Sequence, residues 1–317
     1  MSPVSGTGLD NHHYVRPLGS SSEGRFRVAI TPTASHPVEG WRHTTLRVAW
    51  CAAEGHAEHD SGGEETLVVP LTGAWRVEVT EADGTEHSVD LPGRPSVFAG
   101  PTDVVYAGRG STIRVTNTSD GSARVALCGA PATKAEQPKP YRHVRAAEVP
   151  VELRGAGTAS REVRNLGLPD VLDADSLLVC EVVTPAGNWS SWPPHKHDQE
   201  RPGEETELEE IYYVETRSTD DRGTDPVGYL RVYGAAARPG LDVLAEVGTG
   251  DVVLVPHGWH GPAMAAPDAD LYYLNVMAGP GPERAWRICD DPAHAWVRDG
   301  WADQPVDPRL PTGQETR

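Results

Sequence analysis

A chain of 317 residues, 38% of them hydrophobic, is too long for one small domain and suits two domains of about 150 residues, each with its own core. Its formal charge of −18 repels nucleic acid and anionic membranes, which excludes both as partners and points to a soluble protein. The opening MSPVSGTGLDNHHYVRPLG has no apolar signal region, and no uncharged apolar run approaches the roughly 18 residues of a membrane helix, so a cytoplasmic location is expected. Cys51, Cys128, Cys180 and Cys289 show no CxxC spacing and read as reduced thiols.

Along the chain, 33 glycines and 28 prolines punctuate short segments throughout, the pattern of many short strands. TTLRVAWC (44–51), ETLVVPL (65–71), AWRVEVTE (74–81), HSVDL (87–91), SVFAG (96–100), DVVYAG (103–108), STIRVTNT (111–118) and ARVALCG (123–129) are rich in Val, Thr and aromatics and are separated by turn residues. This predicts a sandwich or barrel over residues 1–130. Residues 131–167 are charged and lack a sustained apolar period, so they read as a linker with a flanking turn or short strand. A second β-series runs through SLLVCEVVTPAG (176–187), WSSWPPHKH (189–197), EIYYVETR (210–217), GYLRVYG (228–234), DVLAEV (242–247), DVVLVPHGW (251–259) and LYYLNVMAG (271–279), giving a second β-domain over 168–303. Helical period is weak, with RAAEV (145–149) and DDPAHAWVRD (290–299) the only short candidates. The tail 304–317 is polar and Pro-rich, loosely ordered or packed on a partner.

Chemistry concentrates in residues 187–277. His195 and His197 are two apart, so on a strand both imidazoles share one face, about 6.5 Å apart along the backbone, with Lys196 on the other. Thirteen histidines give roughly 0.5 His-x-His pairs by chance, so the pair alone decides nothing and a surface hairpin stays open. Glu210 opens the next apolar run and His260 follows a third. Three imidazoles and a carboxylate form a ligand set for a divalent metal at the mouth of a barrel.

These segments resemble the two motifs of the cupin superfamily: a glycine before His-x-His with a following Glu, then Gly250, five residues, Pro256, one residue, Gly258 and a closing His260. Two spacings depart from the usual pattern, with one residue rather than two between Gly258 and His260, and 12 residues between His197 and Glu210 where three or four are usual. Both departures match a narrower family. NWSSWPPHKHD, LEEIYY, VLVPHGWH and DLYYLNVMAGP closely resemble the 5-deoxy-glucuronate isomerases of myo-inositol catabolism, relatives of the pectin-pathway isomerase of 4-deoxy-5-threo-hexosulose uronate. The resemblance extends through RHTTLRV (42–48), EETLVVPLTG (64–73) and LPGRPSVFAGPTDVVYAG (91–108), nearly the whole chain.

The resemblance implies an all-β bicupin, two tandem jelly-roll-like barrels with a complete metal site only in the second. It implies His195, His197, Glu210 and His260 as ligands of one divalent ion, zinc by analogy with the pectin-pathway relative, while Mn, Fe and Ni suit the same donors. Glu209 is the rival of Glu210. Strand alternation lets only one face inward, which leaves Glu209 as a solvated strand-end charge, paired across the loop with Arg201. In the first half His56, His59, Glu64 and Glu65 form a similar set, but only Asp103 and Tyr106 stand where His260 would, so that site is incomplete.

The expected reaction is an aldose–ketose exchange on a sugar acid by a metal-assisted enediol mechanism, 5-deoxy-D-glucuronate going to 2-deoxy-5-keto-D-gluconate. The sequence does not name the base. Alternation from Glu210 and along YLNVM puts Tyr212, Tyr273 and Asn275 on the pocket lining, with the tyrosines as base candidates and Asn275 as a substrate contact. Arg231 is the choice for the substrate carboxylate, because a guanidinium matches it bidentately, against an equal case for an outward strand charge. Trp189, Trp192 and Trp259 flank the ligands and either wall the pocket or pack in the core. His257 reaches the rim, while His12, His13, His36, His43, His87, His143 and His294 read as surface or turn residues. An Fe(II) cupin oxygenase and a non-catalytic sugar-binding cupin are the alternatives. Exposed sheet edges favour a homo-oligomer.

Overall fold

The structure, a computed structural model, describes residues 8–32, 38–219 and 226–313; His36 and residues 314–317 of the tail lie outside them. Short Val- and Thr-rich runs become antiparallel strands. Among the described residues no helix is long and apolar enough to cross a membrane.

The first half is organised on the long strand Glu64–Thr80. Register shifts at Pro70/Thr72 and Gly73/Trp75 bend it, as bulges do. One end pairs with Ala123–Pro131 and Val104–Ala107, the other with Glu86–Arg94 and Thr112–Asn117. In the second half a seven-stranded sheet centred on Glu209–Ser218, Ala269–Ala278 and Leu178–Thr184 faces a six-stranded sheet that contains Gly228–Ala235, Arg238–Val247 and Trp259–Ala265.

Three apolar layers result. Trp75, Val77, Leu91 and Ile113 fill the first barrel, and Val163, Val182, Tyr212, Tyr273 and Val232 fill the second. Between the barrels, Leu46, Val48, Leu67 and Val69 of the first half meet Ile211, Tyr213, Tyr272, Leu274 and Val276 of the second. The seven-stranded sheet is therefore covered on both faces, which explains why SLLVCEVV and LYYLNVMA are nearly continuous apolar runs rather than alternating ones.

The stretch 131–167 is more than a linker. Arg142–Val144 pairs with Val104–Ala107 of the first half, while Val151–Arg154 and Arg161–Arg164 extend the seven-stranded sheet of the second. Arg161–Arg164 reads REVR yet is wholly buried, so its charge disguised a strand. Val15–Arg16 crosses over to pair with Val252–Val255. RAAEV and DDPAHAWVRD hold only 3-10 turns, at Ala146–Glu148 and Ala295–Gly300, and Asn11–Tyr14 adds a helical turn that the sequence reading lacks. In the tail, Leu310 is buried and Thr312 N–H donates to Glu162 at 2.5 Å, so this part docks on its own chain.

Buried carboxylates join the halves. Glu181 accepts both Nη atoms of Arg94 at 2.7 Å, Arg164 Nη1 at 2.8 Å and Tyr272 Oη at 2.8 Å. Glu65 accepts the backbone N–H groups of Asp175, Ser176 and Leu177 at 2.6–2.7 Å. Glu209 returns the contact, accepting from the N–H groups of Arg42, His43 and Thr44. It is thus not the solvated charge expected from its strand-end position, since the first half covers that face of the sheet. Arg201 pairs with Glu204 and Glu205 instead.

Burial raises the Glu181 carboxyl, but Arg94 and Arg164 outweigh it and hold the group at about 2. Glu181→Gln is expected to lower the unfolding free energy by about 3–5 kcal/mol at neutral pH in a urea titration, the usual cost of breaking a buried pair. Because the folded value lies below the unfolded one, this stability is present above the ordinary carboxylate range and is lost as pH falls toward 2. The wild-type and Glu181→Gln curves should converge there.

Candidate metal centre

The His195–Lys196 strand pairs with Trp259–Ala265 so that His195 stands directly opposite His260. Glu209–Ser218 brings Glu210 to the same end of the second barrel, and His197 follows one residue after its strand. The ring centroids of His195 and His260 are 4.4 Å apart and those of His197 and His260 4.6 Å. Glu210 Oε2 lies 3.0 Å from His197 Nε2 and 3.2 Å from His260 Nε2. Potential ligand atoms of His197, Glu210 and His260 all lie within 4.8 Å of one another. His195 flanks this trio but is not part of that tightest group, its ring being 6.3 Å from that of His197.

The arrangement asks for a cation. His197 Nδ1 lies 3.3 Å from Leu208 O and His260 Nδ1 3.2 Å from Gly258 O. Nδ1–H donation to a carbonyl leaves Nε2 as a lone pair, the usual second-sphere arrangement of metal-binding histidines. In neutral rings both Nε2 lone pairs would face a carboxylate oxygen, so the cluster needs either a shared proton or a cation between these atoms. His260 Nε2 is buried and has no hydrogen-bond partner. Burial raises the Glu210 carboxyl, yet the His260 and His197 rings hold it at about 2. Burial lowers His197, and Glu210 more than reverses the shift. His195 lies well below the ordinary imidazole range because of burial and its neighbours His260 and His197, so it is neutral and available as a donor. Three imidazoles and one carboxylate suit a divalent ion.

The 12 residues between His197 and Glu210 serve the site rather than merely tolerating it. Lys196, on the strand face away from the ligands, places Nζ 2.6 Å from both Asp198 Oδ1 and Glu205 Oε1. Asp198 Oδ2 accepts Gly258 N–H at 2.9 Å, which ties the loop to the turn two residues before His260. Gly258 has φ +87°, and a Cβ there would sit 2.5 Å from Tyr233 O, so the motif requires glycine.

Beside the ligands lies a hydroxyl cluster. Tyr273 Oη donates to Ser190 Oγ at 3.0 Å and lies 3.2 Å from Ser191 Oγ, which is 3.3 Å from Tyr212 Oη, while Thr184 Oγ1 donates to Ser190 Oγ at 2.7 Å. Burial, then Glu210, pushes Tyr212 well up. Burial also raises Tyr273, but Ser190, Ser191 and Arg161 limit the rise to about 12. The serines escaped the sequence reading, although the SS of NWSSWPP stands next to the ligands. A Cβ on Gly261 would fall 1.9 Å from Ser191 O, a close approach that holds this segment against the His260 strand. Asn275 stands opposite Tyr212, and its buried Nδ2 has no partner.

Arg231 does not join them. Leu230 and Val232 turn into the barrel, so alternation sends Arg231 outward, where Nη1 donates to Asp242 Oδ1 at 2.6 Å, Val243 O at 2.7 Å and Val232 O at 2.9 Å. His257 is half-buried with an unpartnered Nδ1. Trp189 and Trp192 pack edge to face at 5.3 Å, and Trp259 stacks under Lys196 Nζ at 5.6 Å. In the first half, Glu65 is committed to the other barrel and to Tyr106 Oη at 2.5 Å. Glu64 accepts from Thr45 and Arg47, and Asp103 lies 2.7 Å from His143 Nε2. Burial lowers His59 to about 4.

The model of the KduI/IolB family matches residues 13–297. The chain belongs to that family. Within and around it, the 5-deoxy-glucuronate isomerase of Bacillus subtilis strain 168 is 42% identical over 237 residues, 74% of this chain and 80% of the relative. That of Geobacillus kaustophilus is 36% identical over 89% of this chain and 94% of its own. An IolB-like protein of Salmonella typhimurium LT2 superposes with a TM-score of 0.76 at 34% identity, over 90% of this chain and 99% of that one. Oxalate decarboxylase of Lactobacillus farciminis, at 11% identity and a TM-score of 0.59 over 92% of this chain and 90% of its own, shares the fold alone, that of two tandem cupin barrels.

Two neighbouring carboxylates separate site from scaffold in this KduI/IolB member. Glu210→Gln should weaken divalent-metal retention by more than the roughly 10–100-fold that outer-sphere partners contribute. Glu209→Gln should leave metal content unchanged after dialysis while lowering the denaturation midpoint.

Proposed function

We propose that this KduI/IolB member is an aldose–ketose isomerase that converts 5-deoxy-D-glucuronate to 2-deoxy-5-keto-D-gluconate in myo-inositol breakdown. Its metal ligands would be His195, His197, Glu210 and His260, and its ion zinc. The observation that carries the reading is the buried convergence of His197, Glu210 and His260 in a chain 42% identical to a protein named 5-deoxy-glucuronate isomerase. The reaction needs no external oxidant. The C1 aldehyde is reduced to an alcohol as the C2 alcohol becomes a ketone, with one proton moving from C2 to C1 and another from O2 to O1.

A divalent ion held by the four ligands supplies Lewis-acid polarisation of the substrate carbonyl. Asn275 Nδ2, buried and unpartnered, donates to a substrate oxygen and fixes its orientation. Tyr273 is the better proton carrier of the two phenols, because the Ser190 and Ser191 hydroxyls lower the cost of its ionisation. Its Oη, held by those serines, passes the proton between the adjacent carbons. Tyr212, more strongly raised, remains a neutral donor beside His260. Ser190, Ser191, Tyr212, Tyr273 and Asn275 are all buried, which keeps bulk water away from the exchange.

Purified protein should convert 5-deoxy-D-glucuronate under anaerobic conditions, chelation should abolish the conversion, and Tyr273→Phe should lower kcat by about 10²–10⁴-fold. Turnover that depends on O₂ would replace this reading with an oxygenase.

A further inference from the structure

Arg161 has no role in the fold comparable with that of its neighbours. On the strand Arg161–Arg164, Arg164 donates to Val97 O of the first half and to Glu162, and Glu162 also accepts from Thr312 of the tail. Val163 turns into the second barrel, in one apolar cluster with Tyr212 and Tyr273, and alternation puts Arg161 on that same inner face. Its exposure is 9%. Nη1 donates to Ala159 O at 3.1 Å and Trp192 O at 3.4 Å, and the guanidinium lies 5.5 Å from the Trp301 ring.

Among the described residues no carboxylate pairs with it. Arg94 and Arg164, also buried, both bind Glu181, and Asp290, an acid whose charge is felt at Arg161, is engaged by Arg298. A buried guanidinium without an anion is strongly unfavourable, and a fixed one is a ready-made bidentate receptor for a carboxylate. The residue is also well placed. The carbonyl it binds is three residues before His195, and its charge is felt at both His195 and Tyr273. Ala159, Trp192 and Trp301, its three contacts, line a cleft of about 600 Å³ together with Trp189, Trp296 and Asp299.

We propose that Arg161 anchors the substrate's carboxylate, admitted through the tryptophan-lined cleft, and thereby makes the site select sugar acids over neutral sugars. This rests on the isomerase reading above for the substrate's identity but not for the binding itself. Two readouts separate them: turnover of 5-deoxy-D-glucuronate, and quenching of cleft tryptophan fluorescence by D-glucuronate with D-glucose as the neutral control. Wild-type protein should bind D-glucuronate at least 10-fold more tightly than D-glucose. Arg161→Met should weaken D-glucuronate binding about 100-fold and erase the preference, with metal content unchanged and KM rising far more than kcat falls. Arg161→Lys, which keeps the charge without the fork, should fall between and guards against misfolding of the Met variant. Arg161-dependent D-glucuronate binding without turnover of 5-deoxy-D-glucuronate would remove the isomerase reading and keep the anchor. Equal binding of acid and neutral sugar by wild type, or an unchanged preference in both variants, would overturn the anchor.

Discussion

Neighbouring residues on a β-strand face opposite sides, and at Glu209 and Glu210 this rule sends two carboxylates into two different environments. Glu210 enters the second barrel and meets His197 and His260. Glu209 leaves it and receives three backbone N–H groups from the segment Arg42–Thr44 of the first half. The candidate metal centre and the junction of the barrels are thus set by one strand in one register. A slip of one residue would exchange the two carboxylates and lose both functions at once.

The same logic recurs along the seven-stranded sheet. Tyr213 and Tyr272 point to the junction, where they bind Glu215 and Glu181, while Tyr212 and Tyr273 point to the site. Burying both faces permits this division, since each strand can present one set of side chains to the other barrel and a second set to the chemistry. It also explains the amount of buried charge. A chain of net charge −18 keeps its interior acids in contact with arginine, lysine, histidine or backbone donors, and Arg161 is an interior cation with no carboxylate partner among the described residues.

Among the described residues, the first barrel shows no ligand convergence like that of the second. Its Glu65, placed at the start of the corresponding strand, holds the segment Asp175–Leu177, as Glu209 holds Arg42–Thr44. The two barrels clasp one another reciprocally, while Glu64, on the barrel face of the same strand, is engaged by Thr45 and Arg47.

The sequence by itself determined the all-β architecture, the position of the paired histidines and the family to which the irregular spacings belong, because strand period and ligand spacing are local properties of a chain. It also oriented Tyr212, Tyr273 and Asn275, for which alternation from Glu210 suffices. Only the tertiary structure decided what each outward face meets. Arg231 looked suitable for a carboxylate, but it faces outward, where Asp242 of the neighbouring strand Arg238–Val247 already pairs with it. Glu209 looked solvated, but the other barrel covers it. Arg161 lay in a charged stretch that read as linker, and its burial depends on strand pairing and on Trp192 and Trp301, residues distant in sequence. Charge alone does not reveal whether a residue faces water or a partner, since that depends on long-range packing.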